Sequence, residues 1–359
     1  MMNLQQVANW LDQAQTVAGA LAPDAVAIQR VHTDTRTLAP GDLFVALRGE
    51  RFDGNDFLAE AQAKGAVAAI CQGDDAAEKL RQAGLPGLVV LDAKQALAQL
   101  ATHWRAQFTL PLIAVTGSNG KTTVTQMIAS ILRAWQPQAC LATQGNLNND
   151  IGVPLTVLGL RAHHRIAVVE LGMNHPGEIA HLAAIARPTV ALVNNAQREH
   201  LEFMATVEAV AQENGAVIDA LPADGVAVFP ADDAYSALWA AKAGARACLC
   251  FGQPIGASAL RNDETKDIAV LTSEGHTTQA VWSGAAWQVS AMTPQGELHY
   301  ALHIAGAHNV RNSLAAVACA LAAGVPQAAI EAGLEAFEPV KGRSRALLLR
   351  HGGRAITLV

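Results

Sequence analysis

The feature that most constrains this chain is an apolar run, Leu112-Ile113-Ala114-Val115, leading into Thr116-Gly117-Ser118-Asn119-Gly120-Lys121-Thr122-Thr123. Beyond it, Val124, Met127, Ile128, Ile131, Leu132 and Trp135 recur at the spacing of one helix face. A buried strand, a glycine turn and a helix in succession form a unit of α/β architecture, and that unit suits phosphate chemistry. Glycines let backbone N–H groups close on phosphate oxygens, and the helix N-terminus adds a partial positive charge. Lys121 would reach the terminal phosphates, and a Thr hydroxyl can bind Mg²⁺. The general pattern G-x-x-x-x-G-K-[ST] wants a glycine where Val115 stands, so this is the shorter form G-x-x-G-K-T-T read from Gly117. The plain alternative is a Gly-Asn turn with a solvated lysine; the strand and helix in register on either side favour phosphate.

The chain has 359 residues, enough for two or three domains, and 51% of them are hydrophobic, largely through alanine. With a mean hydropathy of +0.20, this composition fits an alanine-rich globular enzyme and not a disordered chain. A formal charge of −6 gives no basic excess for extended nucleic-acid binding. An anionic substrate must be met by local Arg and Lys. The five cysteines, Cys71, Cys140, Cys248, Cys250 and Cys319, are scattered and read as core thiols of a reducing cytoplasm. No apolar stretch is long enough for a membrane span, and the N-terminus lacks the pattern of a signal peptide, so a cytoplasmic protein is expected.

Three blocks follow from the pattern. Residues 1–107 alternate short strands (43–47, 66–70, 88–91) and helices (57–64, 94–106), and Thr109-Leu110-Pro111 punctuates the chain before the loop. Residues 108–342 repeat strand then helix, with apolar runs at 166–171, 190–193, 226–229 and 247–251 that predict a mostly parallel sheet. From Ile268 to Ile304 alternation with Ser-Gly, Gln-Gly and Glu-Gly turns predicts antiparallel hairpins on one edge, followed by helices at 311–323 and 326–337. Residues 343–359 read as strand, turn and strand, the start of a further domain.

Ligands of open α/β sheets gather at the carboxyl ends of strands. Glu170 ends one predicted strand, and Asn194 and Asn195 end another, with His200 just beyond. A carboxylate and an imidazole there are candidate Mg²⁺ ligands. Taken singly, Glu170 is better read as a structural carboxylate and His200 as a loop histidine. Asn214 falls on the apolar face of the helix after His200, where a satisfied core amide is the simpler reading. Asn309 and Asn312, three apart at a helix start, share a face and could read a base edge, although Asn is also a common N-cap.

Together these residues resemble the Mur ligase family, most closely its MurF type. The resemblance covers nearly the whole chain. Thr116 to Thr123 is similar to the family's T-G-x-x-G-K-T-T loop, itself short of the first glycine. Residues 145–155 (GNLNNDIGVPL) and 170–179 (ELGMNHPGEI) resemble stretches of the MurF type. Thr33-Asp34-Thr35-Arg36 and residues 40–54 (PGDLFVALRGERFDG) resemble the family's UDP-binding domain.

The resemblance implies an N-terminal UDP-binding domain, a central ATP-binding ligase domain and a third, Rossmann-like domain. It implies ATP and Mg²⁺ as cofactors, and UDP-N-acetylmuramoyl-tripeptide and D-alanyl-D-alanine as substrates, joined by a monomeric enzyme. It places Thr116, Gly117, Ser118, Asn119, Gly120, Lys121, Thr122 and Thr123 at the ATP site, with Lys121 on the β- and γ-phosphates, Thr122 and Glu170 on Mg²⁺ and His200 at a second metal. Asp34, Thr35, Arg36, Arg48, Asn146 and Asn149 would serve the UDP-linked substrate. Asn309 and Asn312 would lie near the adenine, and Arg343 near the γ-phosphate. The implied chemistry has two steps. ATP phosphorylates a carboxylate, and the amine then attacks the acyl phosphate.

Two departures are expected to matter. Where many members carry a carbamylated lysine fourteen residues after the histidine, this chain has Asn214, and an amide cannot hold a second Mg²⁺ as a carbamate would. The family's third domain would begin near residue 343, so most of it is expected to be missing and ligation to be poor or absent. A non-catalytic nucleotide-binding protein is the competing reading. A MurE-type ligase or a folylpolyglutamate synthetase is disfavoured by residues 145–155 and 170–179, and a motor or transport ATPase by the short loop.

Overall fold

The computed structural model describes residues 1–198, 204–252, 268–270, 278–339, 347–351 and 354–358. His200 and Arg343 therefore lie outside the described residues. The chain divides into two compact units, Met1–Thr109 with Asp150–Ala162, and Leu110–Asn149 with His163–Val359.

The first unit is built on a five-stranded sheet in the order 15–17, 87–90, 68–72, 42–45, 30–32, with only the first strand antiparallel to its neighbour. The helices Leu58–Ala63 and Ala76–Ala83 bury Leu58, Ala61, Ala76 and Leu80 against Phe44, Ala69 and Cys71 of this sheet. Helix Ala93–Arg105 is capped by Asp92, whose carboxylate accepts from the amides of Lys94 and Gln95. It packs on helix Gly152–Leu158, where the Trp104 indole donates to the Leu160 carbonyl at 3.1 Å. Sequence patterning assigns residues 150–162 to the second block, yet they complete the first unit. An apolar face reports that a helix is buried and not which core buries it.

In the second unit seven parallel strands run in the order 268–270, 247–251, 226–230, 190–193, 112–116, 166–170, 140–142. Strand Leu112–Thr116 is the first in sequence yet sits inside the sheet, between strands reached by connections in opposite directions. That is the switch point at which open α/β sheets leave a crevice. Ile113, Val115, Val168, Val190 and Leu192 join one core with Val124, Met127, Ile128 and Ile131 of helix Lys121–Trp135 and with helix Ala307–Ala322. Side chains alternate across a strand, so Thr116 points to the opposite side. There the helices Glu178–Ala186, Val207–Asp219 and Ser236–Ala243 pack on one another and on the sheet.

The alternating segment forms its own three-stranded antiparallel sheet, Gln279–Trp282, Trp287–Thr293 and Gly296–Leu302. Its inner residues Val289, Ala291, Leu298, Tyr300 and Leu302 enter the same core. Ile268–Val270, expected among these hairpins, instead pairs in parallel with Ala247–Phe251. Leu347–His351 and Arg354–Leu358 make an antiparallel hairpin. All five cysteines are free, and Cys140 alone is only half-buried. Burial pushes the Cys71 thiol up to about 12 and the Cys248 thiol to about 11, so these sulfurs are inert packing groups. Among the described residues no helix is long and apolar enough to cross a membrane.

Candidate active site

Strand Leu112–Thr116 is fully buried and releases the chain into a turn that only glycine accommodates. Gly117 has φ +130°, and a Cβ there would lie 3.0 Å from the backbone nitrogens of Asn194 and Asn195. Gly120 has φ +80° and caps helix Lys121–Trp135, so the first amides of that helix face the loop. Lys121 Nζ donates to the loop carbonyls of Gly117 at 2.6 Å and Ser118 at 3.2 Å. The ammonium is thereby held over the concavity of the loop.

The segment after strand Val190–Val193 clasps this loop. The Ser118 amide donates to the Asn195 carbonyl at 3.1 Å. The Asn119 amide donates to Asn195 Oδ1 at 2.9 Å, while Asn195 Nδ2 returns a bond to the Asn119 carbonyl at 2.9 Å. Asn119 Nδ2 reaches Gln197 Oε1 at 2.7 Å, and the Gln197 amide donates to Ser118 Oγ at 2.9 Å. Few loop groups are left to move freely, which is pre-organisation for an anion.

Glu170 ends strand Ile166–Glu170, beside Val115 in register, and is 1% exposed. Its Oε1 accepts from Thr122 Oγ1 at 3.1 Å and from Asn148 Nδ2 at 2.8 Å. Its Oε2 is buried without a partner among the described residues. A buried carboxylate oxygen with nothing to accept from is costly unless a cation or water completes it. The donor set fits Mg²⁺, which takes one or two carboxylates plus a hydroxyl, water and phosphate oxygens. Among the described residues no cluster of three or more His, Cys, Asp or Glu could hold a metal by itself.

Asn214, on helix Val207–Asp219, is fully buried, and its Oδ1 accepts from Thr116 Oγ1 at 2.7 Å. It ties that helix to the strand end from which the loop departs. Its neighbour Glu213 accepts from the amides of Gly177 at 2.9 Å and Ile179 at 2.8 Å. One helix turn thus braces the loops that follow both Thr116 and Glu170.

A cavity of about 510 Å³ adjoins the loop, lined by Asn119, Gly120, Asn195–Gln197, Asp232–Ala234, His308, Arg311 and Asn312. Arg311 grips Asp232 through Nη1 and Nη2, at 2.8 and 2.5 Å, and its guanidinium carbon lies 5.9 Å from the centre of the Phe251 ring. Asn312 lines this cavity; Asn309 does not, being turned to the Ala305 carbonyl at 2.7 Å.

The first unit has a cavity of about 530 Å³, lined by Thr33–Arg36, Phe44, Leu47, Phe52, Gly54, Phe57, Glu60 and Ile151. Asp34 accepts from the Arg36 amide at 2.9 Å and pairs with Arg36 Nη2 at 2.7 Å. The guanidinium and that amide hold the Asp34 carboxyl down at about 2. Phe52 and Phe57 leave 57% and 41% of their surface exposed. Arg48 lies outside this lining, folded onto Asp53 at 2.5 Å. Asn146 and Asn149 are exposed on the turn after Cys140–Ala142. Asn148, two residues from the one and next to the other, is what reaches Glu170.

Sequence reasoning missed Asn148, Gln197, Asp232, His308 and Arg311. Asn148 carried a signal as a third amide within a run already singled out, and His308 and Arg311 stand in the same helix start as Asn309 and Asn312. Gln197 and Asp232 are brought in by strand order, and Asp232 meets Arg311 from 79 residues away.

The family profile described as the Mur ligase middle domain matches residues 115–320, and the one described as Mur ligase family, catalytic domain, matches residues 27–105. Over 325 residues the chain is 39% identical to the UDP-N-acetylmuramoyl-tripeptide–D-alanyl-D-alanine ligase of Escherichia coli K12, covering 90% of this chain and 67% of that protein. The Haemophilus influenzae ligase of the same name is 37% identical over 91% of this chain and 66% of its own length. A crystal structure of MurF from Acinetobacter baumannii matches with a TM-score of 0.79 at 33% identity, covering 99% of this chain and 72% of that one. MurF ligase from Thermotoga maritima in complex with ADP matches with a TM-score of 0.70 at 25% identity, over 90% of this chain and 69% of that one. The chain thus spans about two thirds of the length of the curated relatives it matches.

Proposed function

Because the chain belongs to the Mur ligase family, we propose that it serves ATP-dependent peptide-bond formation, adding D-alanyl-D-alanine to UDP-N-acetylmuramoyl-tripeptide. The observation that carries this reading is the junction of the glycine loop with Glu170. Thr122 of the loop helix donates to a carboxylate whose other oxygen is buried and open. A nucleotide on the loop would bring its terminal phosphates to that carboxylate. Relatives at 30–39% identity that all bear this ligase name support the choice of amino component.

Transfer of a phosphoryl group onto a carboxylate brings two anions together, so positive charge and fixed donors must offset the repulsion. Lys121 and the first amides of helix Lys121–Trp135 meet the β- and γ-phosphates once the lysine leaves its loop carbonyls. Glu170 and Thr122 would hold Mg²⁺, which when bound neutralises charge on the phosphates. The segment Asn194–Gln197 keeps the loop from reorganising during transfer. The resulting acyl phosphate is attacked by the amine of D-alanyl-D-alanine, releasing inorganic phosphate. His200 and Arg343 retain the roles that the family resemblance implies, a further metal ligand and a γ-phosphate contact.

Residues 1–107 are proposed to hold the UDP end of the substrate. The exposed rings of Phe52 and Phe57 offer flat apolar faces to a base, and Arg36 supplies positive charge for a diphosphate. Asp34 and the Thr35 backbone shape the turn that presents it. Asn146 and Asn149, exposed on their turn, are proposed contacts of the muramoyl peptide, and Arg48 acts through its pair with Asp53. The enzyme is proposed to work in the cytoplasm as a monomer.

Phosphate release measured with ATP, Mg²⁺, UDP-N-acetylmuramoyl-tripeptide and D-alanyl-D-alanine tests the proposal. Whatever the rate, the phosphate released is expected to require both peptide substrates. Release that ignores either of them, or tight binding of ATP and UDP-tripeptide without turnover, would favour a nucleotide-binding role instead.

A further inference from the structure

The two carboxylate oxygens of Glu170 have unlike surroundings. Oε1 accepts from two fixed donors, Thr122 Oγ1 at 3.1 Å and Asn148 Nδ2 at 2.8 Å. Oε2 is buried and accepts from nothing among the described residues. Thr122 belongs to the loop helix, whereas Asn148 comes from the turn after strand Cys140–Ala142 and is docked at two points. Its carbonyl accepts from the Gly172 amide at 2.7 Å, just past the strand that Glu170 ends, while its side chain reaches the carboxylate. The Glu170 backbone is fixed as well, its amide donating to Thr143 Oγ1 at 2.9 Å.

Glycine at 172 leaves the space in which that amide lies. A Cβ there would stand 3.0 Å from Asn148 Cγ and Nδ2 and 3.2 Å from Oδ1. Gly172 has no positive φ, so the backbone would accept alanine, and what glycine supplies here is room. A carboxylate oxygen has about two lone-pair sites. With both sites of Oε1 taken, Glu170 offers a cation one oxygen and not two. That difference separates two common ions. Ca²⁺ takes carboxylates through one or both oxygens in a flexible shell, whereas Mg²⁺ is smaller and demands a stricter arrangement of fewer ligands.

We propose that Asn148 is a positioning residue that keeps Glu170 a one-oxygen ligand, and so sets the preference of the nucleotide site for Mg²⁺ over Ca²⁺. This rests on the assignment of Glu170 and Thr122 to a cation beside bound ATP. The Asn148 nitrogen can only donate, so it acts on the cation through Glu170 and not as a ligand. Without it, Oε1 keeps only the Thr122 hydroxyl, and the carboxylate is free to turn and present both oxygens.

Calorimetric titration with ATP in EDTA, in Mg²⁺ and in Ca²⁺ tests this through binding alone. In the wild type, Mg²⁺ is expected to tighten ATP more than Ca²⁺ does. Asn148→Ala should cut the tightening by Mg²⁺ about tenfold, the lower end of what losing a partner behind a metal ligand costs. The tightening by Ca²⁺ should fall by no more than about twofold, since a freed carboxylate can offer that ion a second oxygen. Affinity for ATP in EDTA should not change. Gly172→Ala displaces the amide without removing it and should move the Mg²⁺-to-Ca²⁺ ratio the same way by about threefold. An unchanged ratio in Asn148→Ala, equal losses with both ions, or a loss already present in EDTA would overturn the proposal. If Asn148→Ala fails to fold, Gly172→Ala decides by the same ratio. Wild-type ATP binding that neither ion strengthens would remove Glu170 from a cation site, and no ATP binding at all would remove the nucleotide; either result takes the proposal with it. Failure of the proposal alone leaves the wild-type response to Mg²⁺ intact.

Discussion

Around the glycine loop the polar contacts are mostly neutral and anchored on buried asparagines, whereas in the cavity of the first unit they are ionic and exposed. Asn194, Asn214 and Asn312 are at most 7% exposed and bond to one another, to Thr116 or to loop backbone. Asp34 and Arg36 leave 37% and 86% of their side chains in solvent. A buried amide that loses its partner carries a desolvation cost of about 1–3 kcal/mol, while an exposed ion pair contributes little. One region is therefore built before its ligand arrives. The other offers a salt-bridged turn and two half-bare rings that the ligand itself must cover.

This contrast orders the expected effects of mutation. Lys121→Met removes the charge that meets the terminal phosphates and should lower kcat/KM by roughly 10³-fold, as loss of a central electrostatic stabiliser does. Steady-state phosphate release measures it, and the UDP substrate should still bind in a parallel titration. Glu170→Gln keeps the shape but removes the charge facing its open oxygen. A loss of about 10²-fold with a raised Mg²⁺ requirement is expected; an unchanged Mg²⁺ titration would remove the carboxylate from the cation site.

In the first unit the effects should be smaller and confined to the other ligand. Phe52→Ala is expected to weaken a UDP-linked ligand by about tenfold, the lower end of what base stacking contributes, and to leave ATP titrations unchanged. Weakened ATP binding in that variant would break the contrast between the regions.

The smallest effect concerns pH. The Asp34 carboxyl sits at about 2 in the folded protein against an ordinary value of 3.8, so the pair with Arg36 stabilises the fold fully above about pH 4 and loses that contribution as pH falls through 2. Solvent screening keeps it slight. Urea midpoints of wild type and Asp34→Asn should converge as pH drops from 4 to 2, and parallel curves would refute the assignment.

How far the sequence carries can be judged residue by residue. The strand, the loop and helix Lys121–Trp135 were legible because their signals are local, a buried run followed by glycines and a helical period. Glu170 and Asn194 were legible as polar residues closing apolar strands. The partnership of Asn312 with Asn194, and of Arg311 with Asp232, was not. Those contacts depend on which strands become neighbours in the sheet, and no local pattern encodes that order. For the same reason residues 150–162 were assigned to one core and fold into the other. Ile268–Val270 read as a hairpin from its surroundings, although three apolar residues pair in parallel as readily as antiparallel.

The central claim is that the loop, Lys121 and Glu170 serve transfer of a phosphoryl group to a substrate carboxylate. Its most direct test is turnover with UDP-N-acetylmuramoyl-tripeptide carrying ¹⁸O in its terminal carboxylate, followed by mass analysis of the inorganic phosphate. One labelled oxygen per phosphate released is expected, because the acyl phosphate passes a carboxylate oxygen to phosphorus. Unlabelled phosphate alongside peptide product, or bound ATP with no phosphate released, would contradict the account.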